Sequence, residues 1–222
     1  MRIAVVIPAL DEADEIAGAI QSASETEIEI WVVDGGSRDE TAQRARSLGA
    51  RVISSQPGRA VQLQAGLDHV SAEGVIFLHA DTRLPEGFAR EVRLALADPR
   101  VVGGAFRFAF DRAEGLGLRL VEAGARLRSR LGWPYGDQAL FARRAVLVAQ
   151  GGIPAVACME DLDLVRLLRR QGRFVLLRSP VRTSARRYRL KGVVSTVLRN
   201  ALALLAWSLG ADRTRIRHWA AR

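Results

Sequence analysis

The stretch "IEIWVVDGGSRDE", residues 28–40, contains a complete change of local structure. Its first part is rich in β-branched and aromatic side chains, which favour a strand, and this strand ends at Asp34. Two glycines then permit a tight turn. The run "SRDE" has the form of a capping box, in which Ser37 and Glu40 would satisfy the first backbone N–H groups of a helix. The stretch therefore predicts a strand, a turn and a helix that begins near Ser37.

The same alternation of strand and helix patterns covers the first hundred residues. Short apolar runs predict the strands, and helical periodicity follows them. Repeated strand–helix units indicate an α/β fold with a Rossmann-like, mixed but mainly parallel sheet flanked by helices. The predicted strands are 3–7, 28–33, 52–54 and 75–79, and the predicted helices begin near Ala13, Ser37 and Gly58.

The pattern changes after Pro99. The run "GAFRFAF", residues 104–110, alternates three phenylalanines on one face, which predicts a half-buried strand with those rings in the core. The elements predicted after it are a helix over 115–130, a loop over 132–138, a strand over 139–143, a helix over 161–171 and a last amphipathic helix over 193–209.

The positive charge of the chain is concentrated at its C-terminus. The formal net charge is +9, and residues 182–222 hold ten basic residues and one acid, so this segment accounts for the whole excess. Such a segment predicts an anionic partner, and we expect peripheral contact with an anionic membrane. Few aromatic residues lie among its arginines, so we expect no nucleic-acid partner. The single cysteine, Cys158, excludes a disulfide framework and favours a cytoplasmic protein, at most peripheral at the inner membrane face.

The last predicted helix carries a stripe of leucines. Its longest uncharged run, residues 200–211, is far shorter than the roughly 20 residues needed to cross a bilayer. The stripe consists of Leu198, Leu202, Leu205 and Leu209. Two interpretations stay open: the helix packs on the domain or on a second subunit, giving a homodimer, or it lies in a membrane interface.

Polar side chains stand where the predicted parallel strands end, which is where open α/β sheets bind ligands. Glu12 follows the first strand, Asp34 the second, and His79 and Asp81 the fourth. The first turn, "IPALDE", has no glycine before Gly18, so it lacks the phosphate cradle of a dinucleotide-binding protein. Glu12 and Asp34 are therefore better placed to bind a base or sugar, and Asp81 a hard divalent cation that holds a diphosphate.

Six motifs in this order carry a resemblance to a known family: "VVIPALDE", "VVDGGSRDET", "GRAVQLQAG", "FLHADTRL", "GDQALFARR" and "MEDLDL". Together they resemble the inverting family 2 glycosyltransferases of the GT-A fold. The particular likeness is to a small bacterial subgroup found beside radical SAM and selenoprotein genes. The resemblance implies a GT-A domain over 1–190, with a nucleotide-sugar-binding half (1–99) and an acceptor-side half (100–190). A basic amphipathic helix and tail would follow over 191–222.

The resemblance also implies roles for individual residues. Asp161 matches the family's general base, and Asp81 matches the acid that binds the metal, Mn2+ or Mg2+. Arg186 or Arg187 would add positive charge near the leaving diphosphate. Apart from the resemblance, Gln138 and Asp137 follow a glycine-containing turn and either line the acceptor side or only end a loop, and Glu160 is a further acceptor-side candidate. The donor-binding residues would be Pro8, Ala9, Leu10, Glu12, Asp34, Gly35, Arg59, Ala80 and Asp81.

The chain departs from the family pattern at two positions. His79 replaces the first acid of the Asp-x-Asp triplet, and it is either a core histidine or a residue that faces the ligand. Gly35 stands where a second carboxylate is common. Trp133 and Tyr135 either stack on a sugar or pack against the protein.

The resemblance implies metal-dependent transfer of a sugar from a nucleotide-diphospho-sugar, with UDP as the expected nucleotide, to an unidentified acceptor hydroxyl with inversion. A lipid-linked acceptor is one candidate. Two alternatives stay open: a sugar nucleotidyltransferase, whose glycine-rich first turn is missing here, and a non-catalytic module that binds an anionic ligand.

Overall fold

The computed structural model describes residues 1–221 of the 222-residue chain. The strands are β1 (Ile3–Ala9), β2 (Ile28–Asp34), β3 (Arg51–Ser54), β4 (Gly74–Phe77), β5 (Thr82–Arg83), β6 (Val101–Phe110), β7 (Leu140–Arg143) and β8 (Arg173–Thr183). The helices are α1 (Ile16–Ala23), α2 (Thr41–Ser47), α3 (Arg59–His69), α4 (Phe88–Ala97), α5 (Leu116–Arg130), α6 (Arg144–Ala149), α7 (Glu160–Gln171), α8 (Arg186–Lys191), α9 (Val193–Ser208) and α10 (Arg213–Ala221). A 3₁₀ turn covers Gly136–Gln138.

The eight strands form one mixed sheet in the order β3-β2-β1-β4-β7-β6-β8-β5. The pairs β1–β2, β1–β4, β2–β3 and β6–β8 are parallel, and β4–β7, β6–β7 and β5–β8 are antiparallel. This confirms the predicted mainly parallel sheet. The β4–β7 pair joins the strands β1 to β4 to those of the second half, so the carboxyl ends of β1, β2 and β4 meet residues from both parts of the chain.

The central strand β1 is apolar because helices cover both of its faces. Ile3, Val5 and Ile7 pack in one core cluster with α1 and α4, while Ala4 and Val6 pack in the other with α3 and α7. Parallel strands covered in this way have continuous apolar sequences. Gly66 of α3 lies so close to Val6 that no Cβ would fit without a shift.

The predicted capping box is wrong. The helix α2 begins at Thr41, and the side chain of its N-cap residue, Glu40, makes no capping hydrogen bond. Ser37 instead donates its hydroxyl to Asp34 at 2.5 Å, and Glu40 pairs with Arg44 at 2.8 Å. The carboxylate of Asp39 accepts the backbone N–H of Thr41. Because Asp34 competes successfully for Ser37, the turn is longer and the helix starts four residues later than predicted.

The second half contains β8, which the sequence pattern did not indicate. It pairs with β6 along most of its length, and the register shifts between Ala105 and Arg107. This irregularity separates the three predicted core rings. Phe106 packs in the main cluster beside α1 and α4, whereas Phe108 and Phe110 pack with Leu118 and Ala125 of α5. All three are buried, as predicted.

The helix α9 packs on the protein, but not through its leucine stripe. Its buried positions are Thr196, Ala203 and Trp207. The four leucines of the stripe lie on the other side and are 54–76% exposed. Within residues 1–221, no helix has the length and apolarity that crossing a membrane requires.

Candidate active site

The carboxyl ends of β1 and β2 form one wall of the site. Ala9 and Asp34 are partners in the parallel ladder, and the backbone N–H of Gly35 donates to the Ala9 carbonyl at 2.9 Å. Gln62 of α3 donates its side-chain amide to the carbonyls of Ala9 and Val33 at 2.8 and 2.9 Å. A Cβ at position 35 would lie 3.1 Å from this amide. Glycine at this position therefore leaves room for the Gln62 side chain and its two hydrogen bonds. Sequence reasoning missed Gln62, since a buried amide on a helix has no local signature.

The loop after β1 is tied to the loop after β2. Pro8 is opposite Val33 in the ladder, and Leu10, where the chain leaves the sheet, is 43% exposed. Asp11 adopts a left-handed φ of 54°, and its carboxylate accepts the N–H of Arg38 at 2.7 Å. A non-glycine residue in this conformation is uncommon and is typical of functional loops.

Asp34 is buried and already hydrogen-bonded. Its carboxylate accepts the Ser37 hydroxyl at 2.5 Å and the Ser37 backbone N–H at 3.2 Å. The carboxylate therefore stabilises the turn after β2 through its hydrogen bonds to Ser37, independently of any contact with a ligand. Its predicted contact with a base or ribose stays a prediction.

Glu12 joins the two halves of the chain. Its carboxylate pairs with the guanidinium of Arg186 at 2.8 Å, and its backbone N–H donates to Thr41 at 2.8 Å. Burial raises the pKa of Glu12, while Arg186 opposes that shift. Two residues predicted near the donor, Glu12 and Arg186, are thus brought together from opposite ends of the chain.

Asp81 follows β4 in a groove of about 220 Å³ that it shares with Glu15 and Arg83. Burial raises the pKa of Asp81, and the negative charge of Glu15 raises it further. One carboxylate oxygen, Oδ1, accepts the Thr82 hydroxyl at 3.3 Å. No residue among 1–221 donates to the other, Oδ2. A half-buried carboxylate with a free oxygen and an acidic neighbour is suited to a cation.

Asp161 lies in the first turn of α7, against the 3₁₀ turn. Its Oδ2 accepts the backbone N–H of Gly136 at 2.7 Å, and its Oδ1 accepts the N–H of Leu162 at 2.8 Å. Each oxygen retains a second lone pair. The preceding Met159 has a left-handed φ of 60°, which marks a constrained entry into the helix. The carboxylate is therefore held in a fixed orientation.

His79 lies next to Asp161. A Cβ built on Gly136 would be 2.9 Å from His79 Nε2 and 3.3 Å from Asp161 Cβ, so one glycine separates the two side chains. Burial, and then the charge of Arg59, lower the pKa of His79 to about 3, so the ring is neutral at pH 7. The choice between a core histidine and a residue that faces the ligand stays a prediction.

Glu160 and Arg59 form an ion pair beside Asp161. The distance from Arg59 Nη1 to Glu160 Oε1 is 3.2 Å, and the Glu160 side chain is only 3% exposed whereas that of Arg59 is 49% exposed. Burial raises the pKa of Glu160, and Arg59 opposes that shift. Glu160 thus anchors an arginine whose outer part remains accessible, and its predicted acceptor contact stays a prediction.

Gln138 is fully buried, with its side-chain amide engaged by the protein. Its Nε2 donates to the Phe106 carbonyl at 2.7 Å, and its Oε1 accepts the Ser129 hydroxyl at 2.7 Å and the Tyr135 N–H at 3.3 Å. These contacts support a structural role, in which the amide joins the 3₁₀ turn to β6 and α5.

Asp137 carries a buried carboxyl group with a strongly raised pKa. Burial raises its pKa to about 6, against the opposing charge of Arg128, and its Oδ1 is buried without a partner in the described part of the chain. The negative charges of Asp161 and Asp81 add to the shift. Sequence reasoning left open whether Asp137 lines the acceptor side or only ends a loop, and it gave no indication of this raised pKa.

We expect Asp137→Asn to stabilise the protein at high pH. The unfolded side chain loses its proton near pH 4 and the folded one near pH 6, so the wild-type free energy of unfolding falls across this interval and is then constant. The variant lacks this loss. At pH 8 its free energy of unfolding should exceed the wild-type value by on the order of 2 kcal/mol, reduced where solvent reaches the group. Urea unfolding at pH 4, 6 and 8 measures this, and an equal difference at pH 4 and pH 8 would contradict it.

The loop before the 3₁₀ turn packs against protein aromatics. Trp133 contacts Trp207 of α9 with ring centroids 5.6 Å apart, and the Arg128 guanidinium lies 3.2 Å from the centroid of Tyr135. Asp163 of α7 accepts the Trp207 indole N–H at 3.0 Å and pairs with Arg213 at 3.1 Å. These contacts favour packing over sugar stacking, and they attach the C-terminal helices to α7.

The structure brings together most, but not all, of the predicted residues. Arg59, Asp81 and Asp161 lie close enough for their charges to act on one another, together with Glu160 and Asp137. Asp34 lies two strands away from His79 in the sheet order, or about 10 Å at the usual strand spacing. It does not line the groove beside Asp81. The structure therefore does not place Asp34 and Asp81 in one groove, and a ligand that contacts both would have to run along the edge of the sheet.

The family described as Glycosyl transferase family 2 matches residues 4–143. A curated relative, glucosyl-3-phosphoglycerate synthase of Mycolicibacterium paratuberculosis (strain ATCC BAA-968 / K-10), is 37% identical over 92 residues. The match covers 36% of this chain and only 28% of that relative.

Solved structures show the same fold. Glucosyl-3-phosphoglycerate synthase from Mycobacterium tuberculosis, in complex with Mn2+ and UDP-glucose, has a TM-score of 0.67 at 24% identity and covers 95% of this chain and 80% of that one. The same enzyme with Mg2+ and UDP has a TM-score of 0.66 at 23% identity, with coverage of 95% and 80%. TarS from S. aureus has a TM-score of 0.64 at 17% identity, with coverage of 96% and 66%. The predicted resemblance is confirmed: this chain belongs to glycosyl transferase family 2 and has the GT-A fold.

Proposed function

We propose that this protein transfers a sugar from a UDP-sugar to an acceptor hydroxyl, with inversion at the anomeric carbon and with Asp161 as general base. The observation that carries the proposal is the fixed Asp161 carboxylate next to the neutral His79 and close to Arg59 and Asp81. A base and a diphosphate-binding end within one site are the two requirements of such a transfer.

The donor would lie along the edge from β2 to β4. Relatives of the same fold bind UDP or UDP-glucose, which supports UDP as the nucleotide here. The separation of Asp34 from Asp81 suits a nucleoside at one end and a diphosphate at the other. The residues proposed to contact the donor are Pro8, Ala9, Leu10, Glu12, Asp34, Gly35, Arg59, Ala80 and Asp81.

A divalent metal, Mn2+ or Mg2+, fits the residues at Asp81. No group of three or more His, Cys, Asp or Glu side chains suited to a metal occurs in residues 1–221. Ions of this class need only one or two protein carboxylates when phosphate oxygens and water complete the shell. The free Oδ2 of Asp81 meets that requirement. Once bound there, the ion would neutralise charge on the leaving diphosphate.

The protein's own residues would carry the remaining chemistry. The acceptor oxygen forms a bond to the anomeric carbon as the bond from that carbon to the diphosphate breaks, and Asp161 takes the hydroxyl proton. Arg59 would add positive charge at the diphosphate, because half of its side chain is exposed while Glu160 holds it in place. Attack opposite the leaving group inverts the anomeric centre.

For the acceptor we propose only its chemical class, a molecule that carries a free hydroxyl group. The matched relative is a glucosyl-3-phosphoglycerate synthase, but the match spans only 28% of its length. A lipid-linked acceptor would bring the enzyme to a membrane surface, and the basic C-terminal segment would favour an anionic one.

A thermal-shift panel tests the proposed donor. We expect UDP to raise the melting temperature in the presence of Mn2+ and to do so much less with EDTA, because the ion bridges protein and diphosphate. Millimolar UDP, GDP, ADP and CDP are compared, each with and without the metal. UDP is expected to give the largest metal-dependent shift, and no shift from any of the four would contradict the proposal.

A further inference from the structure

Exposed apolar side chains are concentrated on three neighbouring helices. Of the eighteen exposed large hydrophobic residues in the described chain, eleven lie on α5, α8 and α9 or directly at their C-terminal ends. Single exposed leucines are ordinary, but a concentration of this kind marks an interaction surface.

The helix α5 presents leucines on the side opposite its core contacts. Leu116, Leu120 and Leu127, with Leu131 at its C-terminal end, are 60–74% exposed. Their spacing places them on one side of the helix. The buried residues Leu118, Ala125 and Ser129 lie on the other side.

The helix α9 extends this surface. A Cβ on Gly117 of α5 would lie 3.4 Å from Val193 of α9, so the two helices touch. The exposed leucines of α9 face away from its packed side. We call the two sets together the leucine face: Leu116, Leu120, Leu127 and Leu131 with Leu198, Leu202, Leu205 and Leu209.

A pocket rich in arginine lies on the flank of α5. Its volume is about 290 Å³, and it is lined by Arg107, Arg126, Arg130 and Arg178 together with apolar residues and one serine. Arg126 pairs with Glu122 at 3.3 Å. The other three arginines have no acidic partner within residues 1–221. A guanidinium group that is not paired with a carboxylate is suited to bind phosphate, because its paired N–H groups fit two phosphate oxygens.

We propose that the leucine face and this arginine pocket dock the protein on an anionic phospholipid bilayer. The helices α5 and α9 would lie in the interface, and the pocket would take a lipid phosphate. Apolar side chains flanked by arginine are the features of an interfacial helix, and α9 is too short to span. The inference does not depend on the proposed sugar transfer.

A second copy of the chain is a poorer partner for this surface. A twofold interface would bring the same surface together with itself. Residues 186–211 contain five basic residues and no acid, so such an interface would bring like charges together. An anionic bilayer supplies both the apolar interior and the opposite charge.

Vesicle co-sedimentation of the full chain tests the docking. We expect binding to vesicles with about 30% phosphatidylglycerol at low salt, weaker binding to pure phosphatidylcholine, and release at high salt. The double variant Leu120→Glu/Leu202→Glu should lower the partition coefficient at least tenfold, because it removes apolar insertion. Arg130→Glu/Arg178→Glu should produce a similar loss only with anionic vesicles.

The matched control is Arg90→Glu/Leu94→Glu on α4, where both residues are exposed. This variant should bind like wild type. All three variants change exposed positions, so circular dichroism should be unchanged. Absence of wild-type binding would overturn the inference, as would equal loss in the control. A wild-type dimer in light scattering that Leu120→Glu/Leu202→Glu dissociates would instead assign the face to self-association.

Discussion

Asp161→Asn is expected to lower turnover by about 10²–10⁴-fold while donor binding persists. The carboxylate accepts one N–H on each oxygen, and its remaining lone pairs are directed by the Gly136 and Leu162 contacts. Asparagine has nearly the same shape but cannot take a proton from an acceptor hydroxyl. Turnover is measured as release of UDP from UDP-glucose with a panel of acceptors, and donor binding by the metal-dependent thermal shift.

Asp163→Asn provides the matched control. It removes a carboxylate from the same first turn of α7, but this group binds Trp207 and Arg213 rather than the site. We expect lower stability in the control with turnover per folded molecule retained. Full turnover in Asp161→Asn would show that Asp161 is not the general base. A loss of turnover of equal size in Asp163→Asn would show that the loss comes from a disturbed helix α7.

Asp81→Asn should strongly weaken the metal-dependent part of UDP binding. Its Oδ2 has no donor within the described chain, and burial together with Glu15 already disfavours the charged form, so a bound cation relieves both effects. Loss of the single protein carboxylate proposed for the ion should weaken Mn2+-dependent UDP binding by about 10²-fold. Titration calorimetry of UDP with and without Mn2+ measures the change.

The control for this variant is Asp14→Asn, which removes an exposed acid close to the same edge of the sheet. It changes net charge equally and should leave the metal-dependent affinity at the wild-type value. If Asp81→Asn retains that affinity, the metal is held elsewhere. If both variants weaken it equally, the effect is one of overall charge.

Much of the fold was predictable from local sequence. The strands β1, β2 and β4 and the helix α7 were identified within about three residues, because their apolar runs and periodicities reflect burial on one or both faces. By contrast β8 was missed, since its partly exposed sequence shows no alternation and its pairing with β6 joins residues about seventy positions apart.

The sequence by itself determined which chemistry stands at each strand end: carboxylates at 12, 34 and 81, an acid at the start of α7, and a basic C-terminal segment. Only the tertiary structure decided their partners. Arg186 meets Glu12 across 174 positions, and the Gly136 N–H meets Asp161 across 25. It also decided that the leucines of α9 face solvent. Local sequence patterns indicate which chemistry a residue can perform. Strand order and helix packing determine which distant group that residue contacts, because they bring together segments that are far apart in the sequence.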